Sequence, residues 1–191
     1  MFDYFSILVS IILGLALTHL LRGLGKQIQM SRQIRVYWVH ILWTINVVFQ
    51  VLVLWWGMFW WKYLSTWPIS WFVFLSTYAV VLFLWSYMLY PAEVPEGIDF
   101  EVFFYRNRRW FFGLLIASFL MDIPETMGKQ LYHLRPMPAF YPYLVAVLLL
   151  IGVVGMVSSN RRLHAVMATL WFAILASYVS LSVIAHIGPQ Q

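Results

Sequence analysis

Cysteine is absent from the 191 residues, which removes disulfide frameworks, thiolate metal sites and a cysteine nucleophile in one step. Charge is nearly as scarce: Asp, Glu, Lys and Arg make up 10% of the chain, against about a quarter in a soluble globular protein. So few charges cannot cover a water-facing surface, and an ordinary soluble domain is excluded. Low-complexity tracts and long polar linkers are missing too, so residues 1–191 read as a single transmembrane domain. Sequence signatures of catalysis are also lacking. The stretch "RGLGK" (22–26) has no earlier glycine, and Gln27 stands where a phosphate loop needs Ser or Thr. Neither H-E-x-x-H nor G-x-S-x-G occurs. No catalytic residue, enzyme activity or cofactor is predicted.

What the chain has in abundance is apolar surface: 63% of its residues are hydrophobic and 19% aromatic. The apolar residues fall in six runs, at about 3–24, 36–61, 68–90, 110–129, 140–158 and 163–187. None alternates in period two as a barrel strand would, so helices are the expected spanning form. The opening "MFDYFSILVSIILGLALTHLLRG" starts with Asp3 and lacks a small-x-small cleavage site, and is read as the first span, not a signal peptide. Pro68, Pro91, Pro138 and Pro142 lie at run ends, where a missing N–H costs least. The expectation is an all-α integral membrane protein, a bundle of six transmembrane helices. A short interfacial helix at 99–109 is expected before the fourth span, with Asp99 as N-cap and Phe100, Phe103 and Phe104 on one side.

The basic excess, 12 Lys and Arg against 7 Asp and Glu, does not point to nucleic acid, because these charges sit in short connections between apolar runs. Arg22, Lys26, Arg32, Arg35, Arg106, Arg108, Arg109, Arg161 and Arg162 flank the odd connections; Lys62, Lys129 and Arg135 flank the even side. That asymmetry places the odd connections in the cytoplasm and both termini outside, as in a bacterial inner membrane. "WWGMFWWKYLSTWPISW" (55–71) fits an interfacial aromatic belt at the outer ends of spans two and three.

The functional clue is "SFLMDIPETMGK" (118–129). At 1.5 Å per residue, Asp122 lies roughly 20 Å beyond Arg109, about two-thirds across a hydrocarbon layer of about 30 Å. Glu125 shares its face and Lys129 follows at i+4. Glu125 with Lys129 reads as an ion pair near the outer headgroups. A carboxyl as deep as Asp122 costs roughly 2.5–3.5 kcal/mol on insertion scales, so it needs a protein or water partner. Pro124 weakens the helix ladder beside it.

Two functions follow. In the first, the protein conducts or transports a proton, cation or small solute. Asp122 is then the titrating group, with Glu125, His186 and Asp3 at the outer mouth and a polar path through Asn46, Gln50, His40 and His19. In the second, it is a non-catalytic membrane subunit or scaffold that assembles with itself or another membrane protein through small-residue faces. Those faces are Ser6, Ser10, Gly14 and Thr18 in span one and Ala165, Thr169, Ala173 and Ser177 in span six. His19, His40 and His164 lie at one depth and are the only candidate metal or haem ligands, with no local ligand motif among them.

Overall fold

The computed structural model describes the backbone of residues 2–187 and the side chains of residues 2–180. It contains six α-helices: α1 (Phe2–Gln29), α2 (Trp38–Met58), α3 (Ile69–Tyr87), α4 (Phe100–Leu131), α5 (Tyr141–Val157) and α6 (Arg161–Ile187). A 3₁₀ turn, Phe59–Tyr63, prolongs α2. No β-strand occurs among the described residues. Five of the helices are long and apolar enough to cross a membrane; α5 has 17 residues and falls short of that length. Five such helices suggest an integral membrane protein.

The expected interfacial helix is not a separate element. Residues 100–131 form one continuous helix, and the segment expected at 99–109 forms its first turns. Between Phe100 and Phe112 there is no proline or glycine, and Arg106, Arg108 and Arg109 are good helix formers that mark a change of solvent, not of backbone. Asp99 is the N-cap, its Oδ1 accepting from the N–H of Glu101 at 2.8 Å and of Val102 at 3.2 Å. The start of α4 is also tied to the α1–α2 connection: Arg35 N–H donates to the Ile98 carbonyl and Phe100 N–H to the Arg35 carbonyl, each at 3.0 Å.

One core runs through the helices. α1 lies against α3 and α2, α4 against α5 and α3, and α2 against α6. The buried seam of α1 is Phe5, Val9, Leu13, Ala16 and Leu20, so the small-residue row beside it is not the main intramolecular contact, although Ser10 in it meets α2. A side chain at Gly14 would meet nothing within 4 Å. Ser10 accepts the Trp55 indole N–H at 3.1 Å, and Thr18 bonds the Gly14 carbonyl at 2.8 Å. In α6, Thr169, Ala173 and Ser177 are exposed, while Ala168, Trp171 and Leu175 face inward.

Near the middle, Trp43, Trp85, Phe111, Phe112 and Trp171 form a close-packed layer, each at most 1% exposed. Ring centroids lie 5.3 Å apart for Trp43–Phe111, 5.4 Å for Trp43–Phe112 and 5.6 Å for Trp85–Phe111. The three indole N–H groups have no hydrogen-bond acceptor among the described residues, so ring packing holds this layer together.

α4 ends in a Schellman turn. Leu134 N–H reaches the Lys129 carbonyl at 2.8 Å and His133 N–H the Gln130 carbonyl at 3.0 Å. His133 takes the left-handed position at φ 55°, where glycine is the usual residue. A side chain there costs roughly 1–2 kcal/mol, part of which glycine returns as extra freedom in the unfolded chain. His133→Gly is therefore expected to raise stability by about 0.5–1 kcal/mol, visible as a higher thermal unfolding midpoint. A lower midpoint would mean that the exposed imidazole contributes more than the strain removes.

Candidate functional site

The end of the molecule carrying the α2–α3 and α4–α5 connections holds a cavity of about 120 Å³ among α2, α4, α5 and α6. Its polar lining is Gln50, Asp122, Glu125, Thr126, Lys129, Arg135, Tyr141 and Tyr178. Phe119, Leu144, Leu148, Trp171 and Leu175 supply apolar wall. The volume is many times that of one water and close to the cavities that admit benzene.

Asp122 projects from the last third of α4 and is held by two phenols. Tyr141, at the first turn of α5, donates to Oδ2 at 2.7 Å, and Tyr78 of α3 donates to Oδ1 at 3.3 Å. Neither phenol is a local neighbour: they lie 19 and 44 residues away in the chain. Two donors leave roughly two of the four acceptor positions of an ionised carboxylate for another group. Pro124 does not interrupt α4, and it lies about 200° round the helix from Asp122. Pro124 is itself exposed, so the proline does not open the helix into the cavity.

One turn beyond, Glu125 and Lys129 are both buried and form the ion pair expected from their spacing, at 2.5 Å. The same Glu125 oxygen accepts the Trp61 indole N–H at 2.9 Å. Trp61 is fully buried, unlike Trp55 and Trp56, so the tryptophan-rich stretch divides between surface and site. Gly128 lets the Trp61 and Trp71 rings lie against α4, and Gly57 leaves room for the Lys129 ammonium. That ammonium sits in the last turn of α2, where the carbonyl ends of a helix favour a cation.

Arg135 follows the Schellman turn and leans back over the cavity. Its Nη2 donates to the Tyr178 hydroxyl at 3.1 Å, and its guanidinium lies 5.9 Å from the centre of the Trp60 ring. No described carboxylate forms an ion pair with it.

The other predicted residues separate. Gln50 joins Asp122 and Glu125 around the cavity, but Asn46, His40 and His19 do not line it. Asn46 donates to the Ala168 carbonyl at 2.9 Å. His40 lies between the Leu89 carbonyl at 2.6 Å and the Gln27 side chain at 3.2 Å, and His19 stacks on Tyr87. Along α2, Trp43 of the aromatic layer lies between His40 and the cavity residue Gln50, with Asn46 on the Gln50 side, and Trp171 of the same layer lines the cavity, so the polar row is not a continuous path. Asp3 is exposed at the start of α1 and outside the cavity lining. The side chain of His186 lies outside the described residues. His164 bonds the Ser158 carbonyl at 2.9 Å among Phe104, Tyr105 and Phe112. Among the described residues no three His, Asp or Glu side chains are grouped to hold a metal ion.

Tyr78, Tyr141, Trp61 and Arg135 were not singled out from the sequence. The available signal was weak: a phenol within an apolar helix and a lone arginine in a proline-rich connection. The chain matches no family model, no curated protein and no solved structure, so function is argued from the cavity itself.

Proposed function

We propose that the protein is a membrane carrier that takes a proton, cation or small solute into this cavity, with Asp122 as the receiving carboxylate. The observation that carries the reading is a deep aspartate that lines an accessible cavity and is positioned by Tyr78 and Tyr141, with acceptor capacity to spare. A carrier fits better than an open channel because the aromatic layer closes the route beyond Gln50. Passage requires that layer to part, as in alternating access.

In this reading α5 also crosses the membrane, as the fifth of six spans. Its 17 residues rise about 25 Å, near the lower limit for crossing. The reading sets the cavity on the outer side of a bacterial cytoplasmic membrane, with both termini outside; the Lys and Arg asymmetry supports that orientation. Glu125 and Lys129 then brace the outer mouth. The second reading, a scaffold or homo-oligomer, draws support from the outward-facing rows Ser10–Gly14–Thr18 and Thr169–Ala173–Ser177, at the spacing that lets helices approach closely.

The deciding experiment is ion, proton and solute flux in proteoliposomes, comparing the wild type with Asp122→Asn. The variant keeps the shape and an acceptor for the phenols but loses the charge. Flux is expected in the wild type and at least about tenfold less in a well-folded Asn variant. Equal flux in both would remove Asp122 from the pathway. No wild-type flux under any gradient, together with an Asn variant that loses its oligomeric state, would favour the scaffold.

A further inference from the structure

The charges lining the cavity do not cancel uniformly. Glu125 and Lys129 neutralise each other at 2.5 Å, both buried, and Glu125 is further occupied by the Trp61 indole. This leaves two charges of opposite sign on the same cavity without an ionic partner among the described residues. Asp122 is braced only by neutral phenols. Arg135 is braced by the Tyr178 hydroxyl and the Trp60 ring. They come from different parts of the wall: Asp122 from within α4, Arg135 from the connection beyond its end.

We infer that the cavity takes a small zwitterion, its ammonium on Asp122 and its acid group on Arg135. This rests on the reading of the cavity as a cargo site and names the cargo's class. The chemistry is complementary at both ends. Asp122 offers the acceptor positions that the phenols leave free, suited to an ammonium with three donors; Arg135 has five donors, and a planar guanidinium grips a carboxylate or phosphate in two places. A simple cation would leave Arg135 unanswered and a simple anion would leave Asp122 so. A zwitterion satisfies both without adding net charge to the cavity.

Size and lining narrow the class further. A cavity of about 120 Å³ holds roughly six to ten non-hydrogen atoms, on the scale of a benzene-sized guest. Phe119, Leu144, Leu148 and Trp171 provide an apolar wall for the uncharged remainder of the molecule. An amino acid with a short apolar side chain has these properties. The ethanolamine-phosphate head of a lipid carries the same pair of charges, so the shared chemistry is an ammonium and an acid group a few atoms apart.

The test is binding to the full chain in nanodiscs of phosphatidylglycerol, read by tryptophan fluorescence and by calorimetry. The probes are leucine, its methyl ester (ammonium only) and 4-methylpentanoate (acid only). Leucine is expected to saturate the site, with both half-molecules at least about tenfold weaker, because each leaves one of the two cavity charges unanswered. Asp122→Asn should erase the advantage of leucine over 4-methylpentanoate, and Arg135→Gln its advantage over the ester. The wild-type comparison stands alone if a variant fails to fold. A second arm replaces part of the lipid with phosphatidylethanolamine. Saturable binding of that lipid that excludes leucine, or occurs without leucine binding, assigns the same chemistry to a headgroup.

Equal binding of all three probes, or no binding of leucine and phosphatidylethanolamine alike, overturns the inference. So does ester binding as tight as leucine; Asp122-dependent cation flux in that case would leave the carrier reading standing. Leucine bound with the expected pattern but never moved across the bilayer would do the reverse.

Discussion

Lys129→Met is expected to lower stability by about 3–5 kcal/mol, the cost of leaving one member of a buried ion pair behind. Lys129 and Glu125 are each 5% exposed or less, and their contact is 2.5 Å. With the ammonium gone, Glu125 keeps the Trp61 N–H but has no countercharge among the described residues. The double replacement Lys129→Met with Glu125→Gln is expected to recover most of the loss. Glutamine still accepts from the indole, and methionine roughly fills the lysine stem. Unfolding in a titrated denaturing detergent, followed through tryptophan fluorescence, compares these proteins, and Glu125→Gln alone completes the four corners of the cycle. A single-variant loss under about 1 kcal/mol would class the pair with exposed salt bridges and undo the argument that it braces the cavity.

The second large effect concerns how α5 is seated. A β-carbon at Gly155 would stand 2.5–2.6 Å from three ring carbons of Phe112, and one at Gly152 2.6 Å from Ile116 Cγ1. Phe112 cannot swing aside, since it is fully buried between Trp43 at 5.4 Å and Phe111 at 5.1 Å, ring centre to ring centre. Gly155→Val is therefore expected to push α5 off α4 and to cost about 1–3 kcal/mol as overpacking. The displacement carries Tyr141 away from Asp122, so ligand binding should weaken along with stability. Gly14→Val is the control: its site is open, and little change is expected. Equal losses at both positions would mean that glycine's backbone, not the close approach, sets the effect.

Hydropathy identified the apolar segments because the solvent acts on each residue separately. Continuity is a different property: the charges at 106–109 suggested a break where the backbone of α4 runs on unbroken. The Glu125–Lys129 pair was legible because i,i+4 neighbours meet on any helix. The partners of Asp122 were not, since Tyr78 and Tyr141 come from other helices and meet it only through tertiary packing. Small residues at steps of four in α1 and α6 carried a real helical face, but periodicity does not say which neighbour that face meets. The adjacent row, with Phe5, Val9 and Leu13, turned out to be the inward one. His40 and Asn46 were read as part of a polar path; their acceptors, the Leu89 and Ala168 carbonyls, could not be read from spacing.

The aromatic layer around Trp43 and Phe111 has an electrical consequence. A polar cavity on one side brings a higher dielectric partway into the molecule, while the ring layer stays a poor conductor of polarisation. In a membrane the potential drop is then concentrated across those few ångströms. One elementary charge carried through the full drop is worth about 2.3 kcal/mol per 100 mV, so a charge crossing the rings feels most of that over a short step. A neutral passenger would cross the same rings without sensing the voltage.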